Sequence, residues 1–276
     1  MITDAQRSLI DAIGEALSAD PQIEAAWLAG SLGAGGGDAF SDVDVLVLAT
    51  GAGEAAQRYA ADLSAIAQTV LVNALYGRVV TAVTDDWRRF DLSFVEAPEL
   101  ARYNRARLQP LFNRGDAEPP TSDPAPYRTS PGALAPIVSE FFRILGLSVV
   151  GVGREEYVIC LSGVELLRRL TLDLMLEENG VGPADRGGAL RRNPMLNAEQ
   201  RAELASLSPV KADRGGIIAA NNELAAIFLP RARRLAAEVG LEWPEAFEIA
   251  TREHLARNLQ VTLPGRPTSG SDVAPA

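Results

Sequence analysis

Five residues near the start of the chain have the types and spacing to handle a phosphorylated ligand. Asp42 and Asp44 are separated by one residue at the head of Val43-Asp-Val-Leu-Val-Leu, a β-branched run that reads as a strand. Strand side chains alternate between faces, so both carboxylates project to the same side, with Cα atoms about 6.5–7 Å apart. Left there without a counter-ion they would repel each other and lose hydration, so a cation is the expected third party. In Arg89-Phe-Asp-Leu-Ser-Phe-Val, the apolar Phe90, Leu92 and Phe94 face one way and Asp91 and Ser93 the other. If this run lies beside 43–48, Asp91 joins the first two in one oxygen-only cluster. Such donors suit Mg²⁺, which keeps several waters and shares substrate phosphates. A pair of such ions stabilises both the attacking and the leaving oxygen of an in-line displacement at phosphorus. Upstream, Gly30 ends a strand where the backbone must turn closely, its exposed N–H groups are suited to a phosphate, and Ser31 adds a hydroxyl. Gly33, Gly35, Gly36 and Gly37 let the following loop bend around a triphosphate.

Alternating helical and strand patterns position these residues. Thr3 or Asp4 caps a first helix carrying Leu9, Ile10, Ile13 and Leu17, ended near Asp20-Pro21. A short strand follows over 23–29, then the glycine-rich loop from Gly30 to Phe40, then the strand 43–48. The periodicity predicts a helix from Glu54 to Val70, strands at 79–84 and 89–95, and a weaker strand at 108–112. Residues 1–115 thus read as an α/β (α+β) domain with a mixed sheet. Pro119, Pro120, Pro124, Pro126 and Pro131 make 116–131 a proline-rich linker, because proline removes backbone donors and disfavours helix at the residue before it. Beyond it, helices are expected at 133–147, 155–179, 198–207, 216–239 and 244–259, an all-α domain over 132–260. Residues 261–276, rich in Pro, Ser, Gly and Thr, read as a disordered tail.

Composition narrows the chemistry. The 276 residues are 47% hydrophobic and 22% charged, which excludes a disordered or collagen-like chain. One cysteine, Cys160, and one histidine, His254, exclude an internal disulfide and Cys/His zinc sites. The net charge of −10, with Lys211 as the single lysine, argues against a nucleic-acid partner, which is gripped through clustered basic residues. A cationic small molecule or a metal-bound anion is the more natural ligand. No signal pattern opens the chain, and the longest apolar run, 141–152, is interrupted by Arg143. The expectation is a cytoplasmic protein with no membrane partner.

Gly30-Ser31, ten intervening residues (32–41), Asp42-Val43-Asp44 on a strand and a later strand aspartate together resemble the nucleotidyltransferase superfamily that includes DNA polymerase beta. A short α/β domain followed by helices is most similar to the antibiotic nucleotidyltransferases, which adenylylate aminoglycosides or lincosamides. The resemblance implies that Gly30 and Ser31 bind the nucleoside triphosphate, ATP or another, and that Asp42 and Asp44 bind Mg²⁺. Asp91 would complete the metal site or serve as general base. It implies transfer of a nucleoside monophosphate, AMP foremost, to a hydroxyl of a small acceptor in a cleft between the domains, with release of pyrophosphate. A protein-nucleotidylating enzyme and a non-catalytic nucleotide-binding module remain as alternatives. Relatives often carry an arginine just after Gly-Ser, where this chain has Leu32-Gly33-Ala34. Phosphate binding then rests on Mg²⁺ and backbone, or on an arginine from elsewhere.

Other candidates have plainer readings. Glu165, Arg169, Asp173 and Glu177 recur every four residues and read as a solvated, ion-paired helix face, with an acceptor ammonium at Glu165 or Asp173 as the functional alternative. Glu140 is a similar lone acid. Gly151-Val152-Gly153 lacks the third glycine of a dinucleotide loop, His254 reads as a surface helix residue, and Cys160 as a small core residue.

Overall fold

The computed structural model describes residues 1–121, 126–186 and 191–265. The chain forms two compact units, Met1–Pro124 and Ala125–Ala276. The first unit runs α1 (Asp4–Ala19), β1 (Ile23–Leu28), α2 (Gly30–Gly33), β2 (Val43–Ala49), α3 (Ala52–Ala61), β3 (Thr69–Leu75), β4 (Val79–Thr84), β5 (Arg89–Val95) and β6 (Gln109–Asn113). The six strands form one mixed sheet in the order β3-β4-β5-β2-β1-β6, in which β2 and β5 are parallel and the other pairs antiparallel.

Hydrophobic alternation decides which face of the sheet is covered. Val43, Val45 and Val47 of β2 join Phe90, Leu92 and Phe94 of β5 under Leu9, Ile13 and Leu17 of α1 and Ala52, Ala55 and Ala56 of α3. Each large side chain fully buried there contributes about 1.5–3 kcal/mol, which fixes β2 and β5 side by side. The opposite face is closed over β1 and β2 by a smaller cluster of Trp27, Leu46, Leu48, Val95 and Leu100. Over β3, β4 and β5 that same face stays more open: Asn73 is exposed, and Thr81, Asp91 and Ser93 are half-buried.

Two expectations in this unit are corrected. The helix predicted over 54–70 stops at Ala61, where Asp62 turns extended and accepts the Ser64 N–H at 2.8 Å. Its last residues, with Val70 and Val72 β-branched, go instead into the edge strand β3, which pairs with β4 through a tight turn with positive φ at Tyr76 (53°) and Gly77 (67°). The loop expected from Gly30 opens with a helical turn, α2, before running irregularly to β2.

The second unit is helical: α4 (Pro131–Gly153), α5 (Tyr157–Glu178), α6 (Ala198–Ala205), α7 (Arg214–Val239) and α8 (Glu245–Leu259). Its core joins Leu134, Val138, Phe141 and Leu145 of α4 to Phe228 of α7 and Leu255 of α8, with Phe141 and Phe228 stacked at 3.7 Å between ring centroids. α4 is longer than the 133–147 expected, and among the described residues it is one helix long and apolar enough to cross a membrane. One of its faces nevertheless belongs to this core, and it carries the Glu140–Arg143 ion pair. Gly151, in its last turn, stands where a Cβ would strike the Cys160 sulfur. Helix approach, not a dinucleotide loop, accounts for that glycine. The start of the expected tail is ordered: Val261 and Leu263 are buried on the helical core, and Arg252 donates to the Leu263 and Pro264 carbonyls at 2.8 and 3.0 Å. Residues 266–276 lie outside the described residues.

Candidate active site

The parallel pairing of β2 and β5 sets Val43 opposite Phe90 and Asp44 opposite Asp91. Neighbouring strands lie about 4.8 Å apart, so the two carboxylates start from adjacent points on one face. Asp42, two residues before Asp44, stands beside Arg89, with Asp42 Oδ2 at 3.5 Å from the guanidinium. The row continues outward, Asp91 facing Thr81 on β4 and Thr81 facing Asn73 on β3. Four strands therefore present Asp44, Asp91, Thr81 and Asn73 in one line across the open part of the sheet.

The electrostatics agree with this placement. Burial, then the neighbouring charges of Asp42 and Asp91, push the Asp44 carboxyl up from 3.8 to about 6, against the pull of Arg89. Asp91 is raised by burial and by Asp42, again opposed by Arg89. The three acids share one field. They are not closed into a preassembled cage: among the described residues, no group of three or more His, Cys, Asp or Glu is arranged to hold a metal ion. Like charges this close repel one another.

Gly30 sits directly over this cluster. Its φ is +54°, and a Cβ there would collide with the Asp44 carboxylate. Only glycine combines that backbone with that approach. The Ala29 N–H donates to the Asp44 carbonyl at 2.8 Å, locking the end of β1 to the start of β2. Ser31 is half-buried, and its hydroxyl donates to the Ser41 hydroxyl at 2.9 Å, which in turn donates to Asp38 at 3.1 Å. The two ends of the 30–42 loop are thus tied beside Asp42. An oxygen-only donor set with excess negative charge and a glycine cradle against one carboxylate fit a hydrated Mg²⁺ held by Asp42 and Asp44.

The structure brings together all five residues singled out from sequence, and adds three that were not. Gln6, 5% exposed, donates its side-chain amide to the carbonyls of Asp38 (3.0 Å) and Ser41 (2.7 Å), pinning the loop to α1. Its capping box with Thr3 was legible as Thr-x-x-Gln, but its reach of more than thirty residues was not. Ser41 and Arg89 carried no motif of their own.

The remaining candidates are elsewhere. Glu165 is exposed and pairs with Arg168 at 3.2 Å, but Glu177, at the far end of the same stripe, is 4% exposed and bound by Arg186 and Tyr127. That end is a structural lock, not a solvated face. Glu140 is paired with Arg143 at 2.6 Å beside a shallow concavity of about 600 Å³ that includes Phe247. His254 meets Asn258 on α8 at 3.1 Å. Burial and Glu156 push the half-buried Cys160 thiol up, away from thiolate chemistry.

No family model matches the chain, and no curated protein matches it. Among solved structures, it is similar to the crystal structure of an aminoglycoside 6-adenyltransferase from Bacillus subtilis, at 13% identity and a TM-score of 0.44, over 91% of this chain and 98% of that one. The resemblance to the nucleotidyltransferases therefore stands on residues 23–95 themselves.

Proposed function

We propose that the chain transfers a nucleoside monophosphate, AMP foremost, from a nucleoside triphosphate to a hydroxyl of a small acceptor. The observation that carries this reading is the register of Asp44 against Asp91 on adjacent parallel strands, beside Asp42 and under the Gly30 turn. Gly30, Ser31 and the loop they open would seat the triphosphate, and Asp42 and Asp44 would hold Mg²⁺. When bound, that ion supplies positive charge at the phosphate oxygens.

Asp91 is the proton acceptor of this reading. The acceptor oxygen bonds to the α-phosphorus, the bond from that phosphorus to the α–β bridging oxygen breaks, and pyrophosphate leaves with the electron pair. The hydroxyl proton passes to an Asp91 carboxylate oxygen. A carboxyl raised above its ordinary range, as Asp91 is, makes a better base than an exposed one. The open sheet beside it, with Thr81 and Asn73, offers polar groups to the acceptor. The net charge of −10 favours a cationic acceptor, aminoglycoside-like or lincosamide-like, over a nucleic acid.

The test is pyrophosphate release with Mg²⁺, each common triphosphate and a panel of aminocyclitol, lincosamide and protein acceptors. Release that depends on a small hydroxyl acceptor and is lost in Asp91→Asn supports the reading. Release only with protein acceptors makes the chain a protein-nucleotidylating enzyme. Triphosphate binding without release under any condition makes it a binding module.

A further inference from the structure

We propose that Arg89 is a built-in counter-ion, holding the place of a divalent cation on Asp42 in the metal-free chain and turning to a polyphosphate when that cation binds. The inference deepens the phosphoryl-transfer reading and rests on it for the identity of the polyphosphate.

Two adjacent arginines show why. Arg88 stands just before β5 and Arg89 opens it, and the two reach opposite ways, Arg88 to Ala5 of α1 and Arg89 to Asp42. Arg88 is fixed: its Nε donates to both Asp86 oxygens at 2.9 and 2.8 Å, and its Nη1 to the Ala5 carbonyl at 2.7 Å. Among the described residues, the ion pair of Arg89 is with Asp42 at 3.5 Å, longer than a good N–H···O hydrogen bond and without the two-pronged geometry of a tight arginine–carboxylate pair. Both partners are solvent-accessible, at 45% and 37% of their side-chain surface. Charge, not fixed geometry, keeps this guanidinium in place.

Its position is what a placeholder requires. Arg89 shares a sheet face with Asp91 and Ser93, stands beside Asp42, and its charge acts on Asp44 and Asp91 as well. A divalent ion on Asp42 and Asp44 carries twice the charge and repels the guanidinium from the same oxygens. Arg89 is long enough to swing clear while staying at the rim of the cluster, where phosphate oxygens gathered by the metal would meet a planar, always-charged fork. No cation follows Gly30-Ser31 directly, as Leu32-Gly33-Ala34 occupies those positions. Arg89 would supply that charge from another strand.

The experiment titrates Mn²⁺ alone into the nucleotide-free chain, reading free Mn²⁺ by electron paramagnetic resonance, for wild type, Arg89→Gln and Arg89→Lys. Arg89→Gln is expected to bind Mn²⁺ about tenfold more tightly, because a competitor for Asp42 is gone, and Arg89→Lys to stay within about twofold of wild type. With ATP added the order reverses, Arg89→Gln binding Mn-ATP about tenfold more weakly. Equal or weaker Mn²⁺ binding by Arg89→Gln, absence of Mn²⁺ binding in both wild type and Arg89→Gln, or tighter Mn²⁺ binding without weaker Mn-ATP binding overturns the proposal. If Arg89→Gln is unfolded without metal, folding on Mn²⁺ addition supports it and failure to fold overturns it. Pyrophosphate release scores the transfer reading separately: release with unchanged Mn²⁺ affinity in Arg89→Gln sinks the placeholder alone, and the predicted Mn²⁺ and Mn-ATP shifts without any release sink the transfer alone.

Discussion

Both units take carboxylates at least partly out of water, but they treat them in opposite ways. In the helical unit, Glu248 is fully buried and takes hydrogen bonds from Arg252 (2.8 Å), the Trp243 indole (2.6 Å) and Arg233. Glu178 is met by Arg231 (2.8 Å), Arg234 (2.6 Å) and Gln200 (3.1 Å). Each charge there is compensated by donors of the chain itself. On the sheet, Asp44 and Asp91 accept no side-chain hydrogen bond from a described residue, and Arg89 alone is ion-paired to the cluster at Asp42. Matched buried charge is a structural lock, whereas the sheet carboxylates are held near one another without such donors, by a core that will not let the strands part.

The largest effect that tests this contrast is on turnover. Asp44→Asn is expected to lower Mg²⁺-dependent pyrophosphate release by at least about 10³-fold, or about 4 kcal/mol of transition-state stabilisation, without lowering the melting temperature. A variant that melts early yet keeps its specific activity would make Asp44 a structural residue and erase the difference between the two regions. Next, Glu248→Gln is expected to destabilise the helical unit by about 3 kcal/mol in urea unfolding, because Arg233 and Arg252 lose their buried partner. Near-wild-type stability there would show that the lock is decorative.

A smaller effect concerns pH. Asp44 is raised to about 6 in the folded chain from an ordinary 3.8, so the folded state pays for its charge above about pH 6 and takes up a proton before the unfolded state does as pH falls. In EDTA, Asp44→Asn is therefore expected to be more stable than wild type by about 1–2 kcal/mol at pH 7.5, after allowance for solvent screening of a half-buried group. The gap should shrink as pH falls through about 6 towards 4. A gap independent of pH in thermal melts would show that desolvation and Asp42 do not act on this carboxyl. Smallest, Gln6→Ala is expected to cost about 1 kcal/mol and to raise the KM for the triphosphate more than it lowers kcat, since it frees the Asp38 and Ser41 carbonyls that hold the loop. Unchanged KM would place the staple away from the nucleotide.

Much of the sheet was legible because its signals are local. The alternation in Val43–Leu48 and Arg89–Val95 and the capping of α1 at Thr3 act within a few residues. The expected helix overlaps β3 only at Thr69 and Val70, which extend a helical period as easily as they start a strand, and 71–75 carry no clear period of their own. What makes them a strand is the neighbouring β4, a partner that periodicity does not report. α4 outran its expected end because Gly146 and Gly151 look like stops in isolation, while helix packing against Cys160 makes the second one useful.

The sequence by itself determined the chemistry available: oxygen donors without histidine or thiol partners, a glycine turn before a strand, and carboxylates alternating to one side. Tertiary structure alone decided that β5 lies parallel to β2 in the register that sets Asp91 against Asp44, and that Arg89 faces the acids while Arg88 is tied to Asp86 and α1. Side-chain type and alternation are properties of a few consecutive residues, but strand order and register are chosen by a core of valines, phenylalanines and leucines far from the site, whose burial outweighs the repulsion between the carboxylates they bring together.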